Sequence, residues 1–157
     1  MKEIQLTQGK IAIVDDESYE RLNQYKWYAW WSGWVWYAVR NIRINNKVEK
    51  IYMHREIMLA PKGIPVDHRN GNGLNNLKEN LRLCNNQQNG FNRKNPYSTN
   101  KLGIKGVCWD KLRNKFIAQI MFNGKHIHLG RFTVLGDADQ SYRKAEEKYF
   151  GEFARNS

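Results

Sequence analysis

Residues 66–89 read VDHRNGNGLNNLKENLRLCNNQQN, and the fold turns on this stretch. Asp67 and His68 close a short apolar run. Pro65 biases Ile64 toward extended geometry, so the acid–histidine pair is expected on a strand. A Gly/Asn-rich turn follows. Gly71 and Gly73 are expected to supply positive φ angles, and Asn75, Asn76 and Asn80 to bond their own backbone and pin the turn. Residues 81–84, LRLC, read as a second short strand. A polar helix then begins at Asn85 or Asn86 and presents Gln88 and Asn89. A carboxylate beside a histidine suits metal-assisted phosphodiester cleavage. The imidazole takes a proton from water, and the carboxylate holds a hard cation against the phosphate.

The spacings sharpen this. Asn80 follows His68 by 12 residues and Asn89 follows it by 21. His54-Arg55 stands upstream, GNGLNN fills the turn, and Asn80-Leu81-Arg82 enters the second strand. With these residues the stretch resembles the HNH nucleases of the phage and intron homing-endonuclease branch. The resemblance implies a ββα-metal fold, with Asp67 as the metal-binding acid and His68 as the general base. It implies that Asn80 ties the loop and orients the histidine, and that Asn89 completes the metal site. The ion expected on Asp67 and Asn89 is Mg²⁺, with Mn²⁺ as the alternative, since hard oxygen ligands argue against zinc. The products implied are a 5′ phosphate and a 3′ hydroxyl. His54 and Arg55 have two readings: phosphate contacts near the site, or a structural histidine ending a strand over 51–54, before a short helix over 55–59.

The chain has 157 residues, which suits one domain or two small ones. Its formal net charge of +11 points to a polyanionic partner, with nucleic acid first. A mean hydropathy of −0.79 implies small cores under a polar surface. Cys84 and Cys108 form no CxxC pair, so no structural zinc is expected, and both are read as buried reduced thiols of a cytoplasmic protein. The N-terminus has no apolar signal region, and no run reaches the ~18 apolar residues of a membrane span.

Residues 1–50 read as a small β-rich subdomain. A strand over 10–14 precedes a helix over 17–24 that Asp15 or Asp16 can cap. Five tryptophans follow within residues 27–36, interrupted by a Ser32-Gly33 turn. They read as core for the subdomain, the other reading being a base-stacking platform. Residues 51–94 form the nuclease unit. Residues 95–102 form a basic linker, and Arg93, Lys94 and Lys101 are expected phosphate contacts.

Residues 103–157 form the last unit. Strands are expected over 106–109, 115–122 and 125–129, the last two joined by an Asn123-Gly124 hairpin turn. A helix from Asp137 to Phe150 carries a stripe of Ala138, Tyr142, Ala145 and Tyr149. That stripe is expected to cover Phe116, Ala118, Ile120, Phe122, Ile127, Leu129 and Phe132. Alternation leaves Lys115, Ile117, Gln119, His126 and His128 on the open face, with Lys105 and Arg131 at strand ends, and the basic and amide donors of this set are expected to contact DNA in the major groove. The pattern resembles the APETALA-type DNA-binding domain of plant ethylene-response factors, although His126, His128 and Gln119 replace that family's Arg, Trp and Glu.

The fold expected is α+β: a small N-terminal β-rich subdomain, a ββα-metal nuclease unit, and a three-stranded antiparallel sheet packed on one helix. The function expected is metal-dependent cleavage of double-stranded DNA by a monomer or weak dimer, without a small-molecule cofactor or a membrane. The alternative is a DNA-binding regulator with an inactive nuclease module.

Overall fold

The structure, a computed structural model, describes residues 1–92 and 100–154. The chain divides into two compact units, Met1–Asn89 and Gly90–Ser157. Among the described residues no helix is long and apolar enough to cross a membrane.

The first unit opens with two antiparallel strands, β1 (Lys2–Gln5) and β2 (Ile11–Val14). Only Ile4 of β1 is buried, which is why the sequence pattern did not mark it as a strand. Helix α1 (Asp16–Asn23) follows and buries Leu22. Asp15 precedes α1 but its side chain does not cap it; Oδ2 instead accepts the Lys78 N–H at 2.8 Å. Strands β3 (Tyr28–Trp31), β4 (Trp36–Ile44) and β5 (Lys47–Tyr52) then form an antiparallel meander. Its second turn is Asn45-Asn46, with φ of 49° and 60°. Two successive positive φ values are what a two-residue hairpin of matching twist requires.

The tryptophans divide. Trp27 is buried and donates its Nε1–H to the Leu22 carbonyl at 2.8 Å. Trp30 and Trp36 are half-buried, while Trp31 and Trp34 are exposed. The cluster is therefore core at one position rather than five. Helix α2 (Met53–Ile57) begins directly after β5, so His54 sits in a helix and not on a strand.

Strands β6 (Val66–His68) and β7 (Leu81–Leu83) pair antiparallel, and α3 (Asn86–Phe91) follows. The core of this unit joins Val14, Leu22 and Trp27 to Met53 and Leu81. The first fifty residues and the Asp67–His68 stretch thus bury one apolar cluster together. The connection between β6 and β7 is strapped to β2: Ile13 N–H donates to Leu74 O at 2.9 Å, and Asn76 N–H to Ile13 O at 2.8 Å. Gly71 has the expected positive φ of 70°. Gly73 does not share it. A Cβ at Gly73 would lie 2.4 Å from the Trp36 carbonyl oxygen and 2.7 Å from the Tyr37 ring, so close approach, not turn geometry, requires glycine there.

In the second unit β8 (Val107–Asp110), β9 (Lys115–Phe122) and β10 (Lys125–Phe132) form an antiparallel sheet in the order β10-β9-β8. Helix α4 (Leu135–Phe150) packs on it and starts two residues before the expected Asp137. Val107, Ala118 and Ile120 are buried, as are Ala138, Tyr142 and Ala145. The expected core residues Phe116, Phe122, Ile127, Leu129, Phe132 and Tyr149 are only half-buried, because one helix cannot cover the whole sheet. The register shifts between His128 and Gly130, a bulge that carries Leu129. Cys84 is buried as expected, but Cys108 is exposed.

Gly73→Ala should destabilise the protein by about 1–3 kcal/mol, the usual cost of overpacking. Gly136, in α4 with open space at its Cβ, serves as control. Gly136→Ala should raise stability by up to about 1 kcal/mol. Urea midpoints of the two variants test both signs.

Candidate active site

The register of β6 against β7 places Asp67 opposite Arg82 and His68 opposite Leu81. Asp67 is buried, and its Oδ2 accepts from Arg82 Nε at 2.8 Å, with Arg82 Nη2 at 2.7 Å. This fork holds the carboxylate in place. Removing either partner would strand a buried charge, at a cost of about 3–5 kcal/mol.

The loop after His68 is built from asparagine side chains. Asn70 Oδ1 accepts from Asn72 N–H, and Asn72 Oδ1 from Leu74 N–H. Asn80 Oδ1 accepts the Asn70 N–H at 3.0 Å while its amide donates to Asn75 O at 2.7 Å. Asn80 therefore clamps both limbs of the loop. A contact to the imidazole comes from another residue. Asn76, fully buried, donates its amide to Leu74 O at 3.1 Å, which turns Oδ1 toward His68 Nε2 at 3.3 Å. With the amide so oriented, Nε2 carries the proton and the basic lone pair falls on Nδ1. Burial lowers the His68 pKa, while the Asn76 bond and the Asp67 charge act to raise it.

His54 reaches this site from α2. Its ring centroid lies 4.9 Å from that of His68. Tyr37 packs 5.8 Å from His68 and 5.3 Å from His54, and Tyr52 lies 5.4 Å from His54. Burial, and then the neighbouring His68, push the His54 pKa down to about 3, so the ring is neutral at ordinary pH. Its Nδ1 is buried with no hydrogen-bond partner among the described residues. Asn76, Arg82, Tyr37 and Tyr52 were not singled out as site residues from sequence. The cross-strand position of Arg82 was the one available signal.

Other expected contacts are placed differently. Arg55 was expected at a phosphate, but its guanidinium donates to the carbonyls of Ala60, Pro61 and Ile64 and fastens that loop. Lys105 was expected on DNA, but its ammonium is 2.7 Å from both Glu146 Oε1 and the Phe91 carbonyl. Asn89 lies exposed on α3. Lys101, Lys115, Gln119, His126, His128 and Arg131 are exposed. His128 stands opposite Gln119 and Arg131 opposite Ile117, so these share the open face of the second sheet. Arg131 is 3.7 Å from Asp110. Arg93 and Lys94 lie outside the described residues.

Comparison with known proteins places this geometry. A family model for HNH endonucleases matches residues 52–91. An uncharacterized HNH endonuclease of Acanthamoeba polyphaga mimivirus is 32% identical over 147 residues, covering 93% of this chain and 74% of the relative. The chain belongs to the HNH endonuclease family. Membership makes it a DNA-cleaving hydrolase. This HNH endonuclease is also 37% identical over 95 residues to Protein 3.8 of Escherichia phage T7, covering 60% of the chain and 77% of the relative. No solved structure matches it.

Asn76→Ala should leave the His68 ring in mixed tautomers, read from imidazole ¹⁵N shifts, while the wild-type ring holds its proton on Nε2. Acid stability tests the second histidine. Unfolded His54 binds a proton below about pH 6.5 and folded His54 only near about 3, so its stabilising effect is complete above the first value and drains away toward the second. His54→Phe should therefore lose less melting temperature between pH 7 and pH 4.5 than the wild type.

Proposed function

We propose that this HNH endonuclease hydrolyses double-stranded DNA with His68 as general base and a divalent cation on Asp67 and Asn89. The observation that carries the reading is the Asn76–His68 hydrogen bond, which leaves Nδ1 as the basic nitrogen of the residue that follows buried Asp67 in sequence. The donor set fits a hard cation: one carboxylate oxygen and one amide oxygen. Among the described residues no cluster of three His, Cys, Asp or Glu side chains could hold a metal. Such a cation would therefore complete its shell with water and substrate phosphate, the habit of Mg²⁺ more than of zinc. When bound it would offset charge on the phosphate and on the leaving oxygen.

The chain's own residues do the rest. His68 Nδ1 accepts a proton from the attacking water, and the imidazolium that forms is supported by Asn76 Oδ1 and by the adjacent carboxylate. Arg82 holds that carboxylate in place through its Nε and Nη2. Asn80 fixes the loop from which the imidazole projects. The bond from phosphorus to the 3′ oxygen breaks and that oxygen takes a proton from solvent water, giving a 5′ phosphate and a 3′ hydroxyl. His54 stays neutral, so no second positive charge opposes protonation of His68.

The second unit is proposed as the duplex anchor. Its open face gathers Lys115, Gln119, His126, His128 and Arg131, donors suited to phosphates and base edges. The APETALA-type likeness of this unit stays a proposal that rests on the sequence pattern and on the order of three antiparallel strands and one helix alone, without support from the comparisons. Lys101, with Arg93 and Lys94, is proposed to add phosphate contacts.

Supercoiled plasmid with Mg²⁺ should give relaxed or linear product that EDTA abolishes and that His68→Ala lowers by at least about 10²-fold, within the usual range for a lost acid–base group. Tight, salt-sensitive binding without any cleavage would leave the regulator with an inactive module instead. Because burial lowers the His68 pKa, the acid limb of the kcat profile should lie below about pH 6.5. Asn76→Ala should move that limb lower still, since the lost hydrogen bond had favoured the protonated ring.

A further inference from the structure

The β3–β4–β5 sheet presents two different sides. Opposed residues of an antiparallel pair share a face, so the register sorts the side chains. One face carries Ala29, Ala38 and Arg40 and turns to the core, where Arg40 binds Glu56. The other carries Tyr28, Trp30, Tyr37 and Tyr52, followed outward by Lys50 and Arg43. The four rings are half-buried and the two cations exposed. Trp30 lies 6.4 Å from Tyr37 and 5.9 Å from Tyr52, and the Lys50 ammonium sits 3.9 Å above the Trp30 ring. Tyr37 and Tyr52 are the same rings that pack on His54 and His68. The surface is thus continuous with the active site.

The charge on this face has one sign. Glu49 is the one carboxylate of the three strands, and it stands opposite Ile42 on the core side. Spacing adds to the argument. At about 3.3 Å per residue, Lys50 lies about 7 Å from Tyr52 along β5, and Arg43, opposite Val48, about 13 Å. Against about 3.4 Å per nucleotide of duplex axis, these are about two and four steps from the rings.

We propose that this face is a track for the phosphate backbone flanking the scissile bond, with Lys50 and Arg43 on phosphates about two and four steps from the rings and the tyrosines and Trp30 against the sugars. The proposal rests on the nuclease reading for its register to the cut. It goes beyond that reading by giving the N-terminal sheet a substrate contact of its own.

The test measures duplex binding in EDTA against salt concentration, so the result does not depend on cleavage. R43Q/K50Q, which keeps part of each aliphatic stem, should lower the slope of log K against log salt by about 1.8, two phosphate contacts at about 0.9 each. Binding should weaken alike on unrelated sequences, with the melting temperature unchanged. K47Q removes one charge from the opposite face, since Lys47 pairs with Ile44, and should leave the slope near the wild-type value. K50E, should R43Q/K50Q fold poorly, is expected to lower the slope by at least about 0.9. Equal loss in K47Q, or an unchanged slope in R43Q/K50Q and K50E, would overturn the proposal. So would loss of a dimer in sedimentation with an unchanged slope, which would assign the face to a second copy of the chain. Absence of cleavage with these binding results intact would strike the catalytic reading alone.

Discussion

A loop that holds a buried histidine must satisfy its own backbone, and the segment between β6 and β7 meets that requirement with amides. It has few apolar side chains to bury. Asn70, Asn72 and Asn75 each accept a backbone N–H two residues ahead, and Asn80 closes the loop from the far side. Buried polar groups left unpaired cost about 1–3 kcal/mol each, so the network holds as a set rather than bond by bond. Asn76 is its innermost member. It joins the strand β2, the loop and the imidazole through three hydrogen bonds.

Electrostatics complete what the amides begin. Asp67 and Arg82 neutralise each other in a buried setting, and the pair also locks the register of β6 on β7. A one-residue slip would turn every side chain of such short strands to the wrong face. The neighbouring histidines are both held toward the neutral form by burial, which gives one of them the character of a base at ordinary pH. The aromatic wall of Tyr37 and Tyr52 supplies that burial from a different part of the chain.

Much of this was legible in the sequence. The acid–histidine pair, its asparagine at a fixed distance, the two hairpin turns at Ser32-Gly33 and Asn123-Gly124, and the stripe of α4 are local patterns, and local patterns can be read from spacing. The remainder depends on pairings distant in sequence. Strand β1 has a single buried residue and exists because β2 is there to pair with it. Asn76 is one amide among many in its stretch, and nothing local distinguishes it from Asn75. Arg55 and Lys105 read as candidate DNA contacts for the same reason: a basic side chain reads as free until its carbonyl or carboxylate partner is placed. Gly73 was read as a turn residue because the Tyr37 ring that crowds it lies 36 positions away.

That crowded glycine also bears on modularity. The residues matched by the family model look like a cassette that could be moved between proteins. Yet Gly73 nests against β4, and Asn76 takes its backbone partner from β2, both outside the matched span. A graft of residues 52–91 onto a foreign scaffold would arrive without the wall it leans on. The compact unit that includes that wall is Met1–Asn89, with the N-terminal strands and the Asp67–His68 loop together.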